Sequence, residues 1–261
     1  MDYLTWNIDP ILFSMGSITI HWYGFIFALA FIIALKIMEN IFKKENKNIE
    51  ELDNGLIYVM IGTVVGARLG HTLFYDPSYY LSNPIEILMI QKGGLASHGG
   101  AIGVLIGLYL FAKKYSYSYV WLLDKVVIPT ALVASFIRIG NLFNSEILGD
   151  KSDVAWAIIF SRVDNIPRHP AQVYESISYF IIFIILFSIY QKFHSKLRDG
   201  FLFGLFMISL FGTRFMIEFI KVRQEAYVNN IGLSTGQLLS IPFIILGLYM
   251  IFGFRTKKVS K

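Results

Sequence analysis

Residues 200–220, GFLFGLFMISLFGTRFMIEFI, decide the fold because they are long and apolar enough to cross a lipid bilayer. A helix needs about 20 apolar residues to span roughly 30 Å of hydrocarbon. This run nevertheless carries Arg214 and, four residues later, Glu218. An ionised side chain among lipid tails costs at least about 2.5 kcal/mol, so it is retained where it meets a partner, a cavity or a ligand. The stretch therefore predicts a membrane span that carries a functional charge.

The composition of the whole chain supports the same interpretation. Hydrophobic residues make up 55% of the chain and charged residues only 16%, which is more apolar than a soluble domain of this length. Apolar runs predict seven spans, at about 18–39, 55–75, 95–112, 120–140, 174–191, 200–220 and 237–254. The first run has no basic start and no small-residue cleavage site, so we expect a retained span. The predicted fold is an all-α integral membrane protein with about seven transmembrane helices. It forms one polytopic domain over 1–261, with a small extracytoplasmic head at about 141–172.

Basic residues near the ends of the predicted spans indicate the orientation. The loops after spans one, three, five and seven hold the larger share, namely Lys43, Lys44, Lys47, Lys113, Lys114, Lys192, Lys196, Arg198, Arg255, Lys257, Lys258 and Lys261. The other side holds Lys92, Lys151, Arg162, Arg168, Lys221 and Arg223. The positive-inside rule then predicts an outside amino terminus and a cytoplasmic carboxyl terminus. The net charge of +5 is a topology signal and does not indicate a nucleic-acid partner.

Polar side chains gather at one predicted depth, toward the outer leaflet. In this orientation Arg68, Arg138 and Arg214 lie in the outer halves of spans two, four and six. Guanidinium groups match phosphate oxygens, and the phosphates at that depth belong to lipid headgroups. The same level holds Tyr23, His98, Glu146 and Glu218. Two simpler interpretations stay open: Arg214 and Glu218 can form an internal salt bridge one helical turn apart, and Arg138 can extend to the interface.

Two glycine ladders predict where helices approach most closely. Gly62, Gly66 and Gly70 recur every four residues in span two, and Gly99, Gly103 and Gly107 do the same in span three. Small residues at this spacing let helix backbones touch in lipid. We expect spans two and three to form a rigid pair that carries Arg68 and His98.

Residues 138–149, RIGNLFNSEILG, form the most unusual local stretch, at the exit of span four. Arg138, Asn141, Asn144 and Glu146 stand where a span would ordinarily end in a plain turn. A polar helix cap is one interpretation, because Asn and Gly favour helix ends. The other is a loop that binds the hydroxyl and phosphate groups of a lipid headgroup.

Several stretches together are similar to the prolipoprotein diacylglyceryl transferase family. They are RIGNLFNSEILG at 138–149, HWYG at 21–24, GGLASHGG at 93–100, RHPAQVYE at 168–175 and RFMIEF at 214–219. The resemblance covers essentially the whole chain. It implies a multi-pass protein of the bacterial inner membrane whose active site faces the outer leaflet. Its reaction would transfer the diacylglyceryl group of phosphatidylglycerol to the lipobox cysteine of a prolipoprotein signal peptide. The products would be a thioether and glycerol 1-phosphate.

The resemblance also implies residue roles. It makes Tyr23, His98, Arg138 and Arg214 the candidate catalytic residues. We expect the arginines to stabilise the departing phosphate. His98 is either the base that accepts the thiol proton or a hydrogen-bonded structural group, and Tyr23 either orients the headgroup or is an ordinary interfacial aromatic. The candidate residues for binding phosphatidylglycerol are Arg68, Arg138, Asn141, Asn144, Glu146, Gly149, Arg214, Glu218 and Lys221, and Gly140 belongs to the same signature. At Lys221 many family members have an arginine followed by a Pro-Asp pair, whereas this chain reads IKVRQEAY at 220–227.

The remaining expectations concern cofactors and other functions. The chain has no cysteine, so the reacting thiol must come from the substrate, and thiolate metal sites are excluded. We expect neither a metal nor a cofactor. Membrane lipids are expected contacts, and nucleic acid is not. The alternative function is a transporter of organic anions or lipids that uses the intramembrane arginines, but transporters commonly show internal repeats and broken helices at the midplane, which this sequence lacks.

Overall fold

The computed structural model describes residues 3–16, 18–90, 93–222 and 232–254. Most of these residues are helical, as predicted. The helices are α1 (Trp22–Lys44), α2 (Glu50–Phe74), α3 (Pro77–Ser82), α4 (Ser97–Lys114), α5 (Tyr119–Asn144), α6 (Ala171–Phe193), α7 (Phe201–Ile217) and α8 (Thr235–Leu248). Short 3-10 turns lie at Pro84–Leu88 and Glu218–Ile220, and a π-helical turn lies at Tyr249–Gly253.

Six helices in these described ranges are long and apolar enough to cross a membrane, judged by length and composition. They are α1, α2, α5, α6, α7 with its following turn, and α8 with its following turn. The remaining predicted span, 95–112, forms α4, which is not among the six. Its polar start at Ser97 and His98 and its two terminal lysines lower its hydropathy. A mostly helical, multi-pass membrane protein is confirmed, whereas the count of seven spans stays a prediction.

The orientation also stays a prediction. Some of the basic residues on which it depends, Lys92, Arg223 and those at 255–261, lie outside the described residues. So does most of the stretch in which the chain departs from the family pattern, residues 223–227.

Short strands, which the sequence did not predict, add to this helical architecture. β1 (Leu4–Trp6) pairs in parallel with β4 (Ile158–Phe160), and β4 pairs antiparallel with β5 (Pro167–Arg168). β2 (Ile11–Met15) and β3 (Ile18–His21) form a hairpin. The predicted head at 141–172 therefore contains two strands and their loops, and its extracytoplasmic placement stays a prediction.

The chain divides into two compact units, and the single polytopic domain over 1–261 stays a prediction. Unit 1 contains Met1–Ile37 and Asp124–Lys261, and unit 2 contains Met38–Leu123. The boundaries fall inside α1 and α5.

In unit 2 the two glycine ladders face each other, so the predicted rigid pair is confirmed. A Cβ at Gly66 would meet the backbone of Gly99 and Gly103, and a Cβ at Gly103 would overlap the carbonyl of Gly62. Because no side chain fits between them, the backbones of α2 and α4 approach directly.

In unit 1 polar groups join the helices at several levels. The Asp124 carboxylate of α5 accepts hydrogen bonds from the amides of Gly200 and Phe203, at 2.8 and 2.7 Å, and so caps the start of α7. Farther along α5, Ser135 Oγ donates to the carbonyl of Ser176 on α6 at 2.8 Å. These bonds satisfy polar groups that lipid cannot solvate.

Candidate active site

Unit 1 contains a cluster of charges at the end of α5, of which Glu175 and Lys221 are buried and Glu146 is exposed. This charge cluster consists of Arg138, Glu146, Glu175, Glu218 and Lys221. Its centre is Glu175 on α6, which has no exposed surface. One carboxylate oxygen lies 2.9 Å from Arg138 Nε and the other 2.7 Å from Lys221 Nζ. A single carboxylate therefore contacts two cations, and removing it would leave Lys221 with Glu218 alone.

The signature residues extend this cluster as a chain of hydrogen bonds. Arg138 Nη1 donates to Asn141 Oδ1 at 3.1 Å, and Asn141 Nδ2 donates to Glu146 Oε2 at 3.0 Å. Asn144 Nδ2 donates to the other oxygen of Glu146 at 3.1 Å. Both amide side chains thus act on one carboxylate, which in turn orients the amide that holds Arg138. The structure brings these signature residues together at the end of α5, and their binding of a headgroup stays a prediction.

The backbone around Glu146 is strained. Ser145 and Ile147, on either side of it, both have a φ of 56°, a left-handed conformation that is unfavourable for a β-branched residue. Gln172 Nε2 holds the intervening carbonyl of Glu146 at 2.5 Å. Strain of this kind persists where surrounding contacts over-determine the backbone, and it is common at functional sites.

Gly140 makes room for Tyr23. A Cβ at position 140 would lie 2.7 Å from Cδ2 of the Tyr23 ring. The Tyr23 phenol lies within electrostatic reach of Glu146 and Arg138. The HWYG and RIGNLFNSEILG stretches therefore meet in unit 1, and Tyr23 is placed beside the charge cluster.

Gly149 has a packing role. Its amide donates to the carbonyl of His169 at 3.0 Å, and it forms a β-bridge with Lys221. A Cβ there would collide with His169 and with the carbonyl of Ile220. Three chain segments meet at Gly149. Their close packing is enough to explain why the signature has a glycine at this position.

Two residues of the RHPAQVYE stretch support the same crossing. Arg168 forms an ion pair with Asp164 at 2.6 Å, and its guanidinium holds the pKa of the Asp164 carboxyl below its usual value. His169 Nδ1 lies 3.2 Å from the Tyr174 hydroxyl. These contacts favour a structural role for His169.

Arg214 lies at the end of α7. In the described part of the chain its Nε is buried and donates no hydrogen bond, and no ion pair joins it to Glu218. In the described residues, no contact therefore supports the predicted alternative of a salt bridge between Arg214 and Glu218. A buried guanidinium nitrogen without a partner is costly, and an anionic ligand would relieve that cost.

Glu218 instead faces Lys221 and the start of α8. One of its oxygens lies 3.5 Å from Lys221 Nζ. A Cβ at Gly236 would lie 2.5 Å from its other oxygen, so the glycine permits this approach. The positive end of a helix favours a carboxylate at that place. Lys221 is thus held by two carboxylates, which favours a structural counter-charge over the predicted contact with phosphate.

Arg68 belongs to unit 2, where its guanidinium is occupied. It donates to the backbone carbonyls of Glu86, Ile87, Gly93 and Gly94 at 2.5 to 3.1 Å. These bonds tie the segment after α3 to α2. Carbonyl oxygens accept from four of its five N–H donors, and its contact with lipid phosphate stays a prediction.

His98 also lies in unit 2. As predicted, it stands at the start of a helix, the second residue of α4, and it is exposed. An exposed imidazole at a helix start is accessible to a substrate group. Its role as a base stays a prediction.

The sequence interpretation missed Glu175, Gln172 and Gly236. Glu175 stands inside predicted span 174–191, and an acidic residue at that depth is the same signal that identified the arginines. Nothing in the local pattern identifies Gly236, because its partner Glu218 comes from a different helix.

The fold and the site define a multi-pass membrane protein in which charged side chains of several elements surround the buried carboxylate of Glu175. A family model described as prolipoprotein diacylglyceryl transferase matches residues 10–253, and the chain belongs to this family. Curated relatives carry the name phosphatidylglycerol–prolipoprotein diacylglyceryl transferase. One from Tolumonas auensis is 49% identical over 95% of this chain and 96% of its own. One from Chloroherpeton thalassium is 47% identical over 96% and 94%, and one from Bacteroides fragilis is 40% identical over 99% and 98%.

Proposed function

We propose that this chain transfers the diacylglyceryl group of phosphatidylglycerol to the cysteine thiol of a prolipoprotein, the first step of lipoprotein maturation. The observation that carries the proposal is the charge cluster, in which Arg138 is fixed by Glu175 and Asn141 within a membrane-embedded unit. The names of the relatives supply the two substrates. Signal peptides with a lipobox cysteine are the form in which the second substrate would arrive.

The reaction is a direct displacement at carbon. The substrate thiolate attacks the diacylglyceryl carbon that is bonded to the phosphate oxygen, a carbon–sulfur bond forms, and the carbon–oxygen bond breaks. The leaving group is glycerol 1-phosphate, which takes the bonding electron pair, and the thiol proton passes to a base. Negative charge develops on the leaving phosphate, so preorganised cations lower the barrier most.

Arg138 and Arg214 are the proposed cations. Arg138 is held in one orientation by neighbours on both sides, which avoids reorganisation during the reaction. Arg214 has a buried Nε without a partner in the described residues. Tyr23, Asn141, Asn144 and Glu146 would orient the glycerol headgroup or the arginines around it.

His98 is the proposed base for the thiol proton. A base role predicts that His98→Gln, which keeps hydrogen-bonding capacity, lowers turnover about 100-fold while phosphatidylglycerol still binds. A normal rate in the variant would assign His98 a structural role.

The proposed location is the bacterial inner membrane, with the amino terminus outside, the carboxyl terminus cytoplasmic and the active site toward the outer leaflet. Both substrates reach that leaflet: the lipid by lateral diffusion and the prolipoprotein after translocation of its cysteine.

Peptide-dependent release of glycerol phosphate tests the proposal. Purified protein in detergent should release it from phosphatidylglycerol only when a lipobox peptide is present, in equal amount to the thioether product. A peptide with the cysteine replaced by alanine is the matched control. Release that is independent of the peptide would indicate a lipase, and lipid movement without any product would indicate the transporter alternative.

A further inference from the structure

Arg68 ties the turn that precedes α4 to α2. The residue is only 4% exposed. Its Nη1 donates to the carbonyls of Gly93 and Gly94, at 2.6 and 3.1 Å. Its Nε and Nη2 donate to the carbonyls of Ile87 and Glu86, at 2.9 and 2.5 Å. A planar guanidinium reaches acceptors in several fixed directions at once, which an ammonium group does not. One buried side chain therefore holds two stretches of backbone against α2.

The turn that Arg68 holds is a pair of glycines. Gly93 and Gly94 have φ values of 81° and 75°, in a region that glycine adopts at little cost. A Cβ at position 94 would lie 2.5 Å from Nε2 and Cδ2 of His71 and 2.9 Å from Nη1 of Arg68. The His71 ring cannot easily move away, because it is stacked on Tyr75 with the ring centroids 5.3 Å apart. Side chains of α2 therefore set the conformation of this flexible pair.

The start of α4, which carries His98, is also held by the backbone of α2. The residue before the helix is Ala96, whose methyl group cannot accept hydrogen bonds from the first amides of the helix. The amide of Ala96 donates to the carbonyl of Ala67, the neighbour of Arg68, at 2.9 Å. Helix ends fray, so the place of His98 depends on how firmly the turn before it is held.

We propose that Arg68 is a positioning residue for His98, an inference that rests on the proposed function. By fixing the turn at Gly93 and Gly94, Arg68 determines where α4 begins and thus where the imidazole lies. In this role Arg68 touches neither the lipid nor the thiol. The role differs from the contact with lipid phosphate that the sequence predicts, because a phosphate contact acts on lipid binding, whereas a positioning residue acts on the chemical step.

Steady-state kinetics of Arg68→Lys separate these two roles. Lysine keeps the positive charge but presents three N–H donors at one point, so it cannot hold all four carbonyls. We expect kcat to fall about 10-fold, because small misplacements of a catalytic group are costly, while the KM for phosphatidylglycerol stays within about twofold of the wild-type value. A raised KM for the lipid at an unchanged kcat would overturn the proposal in favour of a phosphate contact. Wild-type values of both constants would also overturn it.

A double-mutant cycle with His98→Gln tests whether Arg68 acts through the imidazole. The His98→Gln variant has already lost the group that Arg68 positions, so adding Arg68→Lys should change its kcat by less than about twofold. Losses that multiply in the double variant would show that Arg68 acts independently and would refute the proposal, as would normal turnover of His98→Gln alone. If the wild-type protein transfers no lipid to a lipobox peptide, the proposed function itself fails.

Gly94→Ala and Gly93→Ala form a matched pair that leaves Arg68 in place and serves as well if Arg68→Lys does not fold. Both variants add a methyl group at a positive φ, so their backbone strain is similar. Only the methyl group at 94 would meet His71 and Arg68, whereas a Cβ at 93 has no atom of the described residues within 4 Å. At equal amounts of folded protein, kcat should be about 10-fold lower in Gly94→Ala than in Gly93→Ala, and this difference should disappear when His98→Gln is added. Equal kcat values in the two glycine variants would contradict the proposal.

Discussion

At the residue scale, Glu175 determines how the charges of unit 1 are arranged. Its two oxygens hold Arg138 and Lys221 from opposite sides, and the Tyr179 hydroxyl donates to it at 3.3 Å. A fully buried carboxylate with two cationic partners is stable only when both contacts persist. The arginine that we assign to the leaving phosphate is thus positioned by Glu175.

Arg138→Lys tests whether the planar guanidinium is needed. A lysine keeps the charge but cannot contact Glu175, Asn141 and a phosphate from separate nitrogens. Transfer should fall about 10-fold or more, which corresponds to about 1.4 kcal/mol of transition-state stabilisation. Steady-state rates at equal amounts of folded protein measure the effect. Wild-type turnover in the lysine variant would refute this role.

Gly236→Ala tests whether Glu218 must approach the start of α8. The new Cβ would displace the carboxylate, and we expect activity to drop about 10-fold, a change of about 1.4 kcal/mol. Gly212→Ala is the matched control, because a Cβ there meets nothing within 4 Å. Glu218→Asp shortens the acid, so adding it to Gly236→Ala should restore part of the loss. Equal activity in the two single glycine variants would contradict this explanation.

Site residues could be predicted where a charged residue lies within an apolar run. They could not be predicted where the contact joins residues that are distant in sequence. Arg138 and Arg214 were predicted for that reason. Glu175 also lies in an apolar run, but it was not predicted. The contacts of Arg68 were not predictable, because nothing in the local sequence pattern indicates that the carbonyls of Glu86, Ile87, Gly93 and Gly94 approach α2.

At the scale of elements, the glycine ladders make α2 and α4 one rigid pair. Their four-residue spacing was sufficient to predict the pairing, since it places every glycine on one helix face. Strands were not predictable in the same way. β1 and β4 lie far apart in sequence and are only three residues long, and such short segments form only after the chain has brought them together.

Gly103→Ala tests the rigid pair. The added methyl group would overlap the carbonyl of Gly62, so the helices must separate, at a cost of about 1–3 kcal/mol. Thermal unfolding in detergent should occur at a lower temperature than in the wild-type protein. Gly24→Ala on α1, where a Cβ has open space, should unfold like the wild type. Unfolding of Gly103→Ala at the wild-type temperature would contradict direct backbone packing.

At the scale of the whole molecule, apolar length and the distribution of basic residues predict a multi-pass protein with a fixed orientation. The absence of cysteine makes that orientation measurable with single introduced thiols. Ala155→Cys, an exposed position in the predicted head, should react with an impermeant maleimide added outside the cell. Ser195→Cys, exposed after α6, should react only after the membrane is opened. The reverse labelling pattern would invert the predicted topology.

The central claim is that Arg138 and Arg214 hold the phosphate that leaves during transfer, and an experimental structure with bound phosphatidylglycerol tests it most directly. We predict phosphate oxygens within about 3 Å of guanidinium nitrogens of Arg138 and Arg214, the range of charge-assisted hydrogen bonds. Arg68 should keep its backbone carbonyls, and Lys221 should keep its carboxylates. A phosphate bound at Arg68 or Lys221, with Arg138 and Arg214 out of contact, would contradict the account.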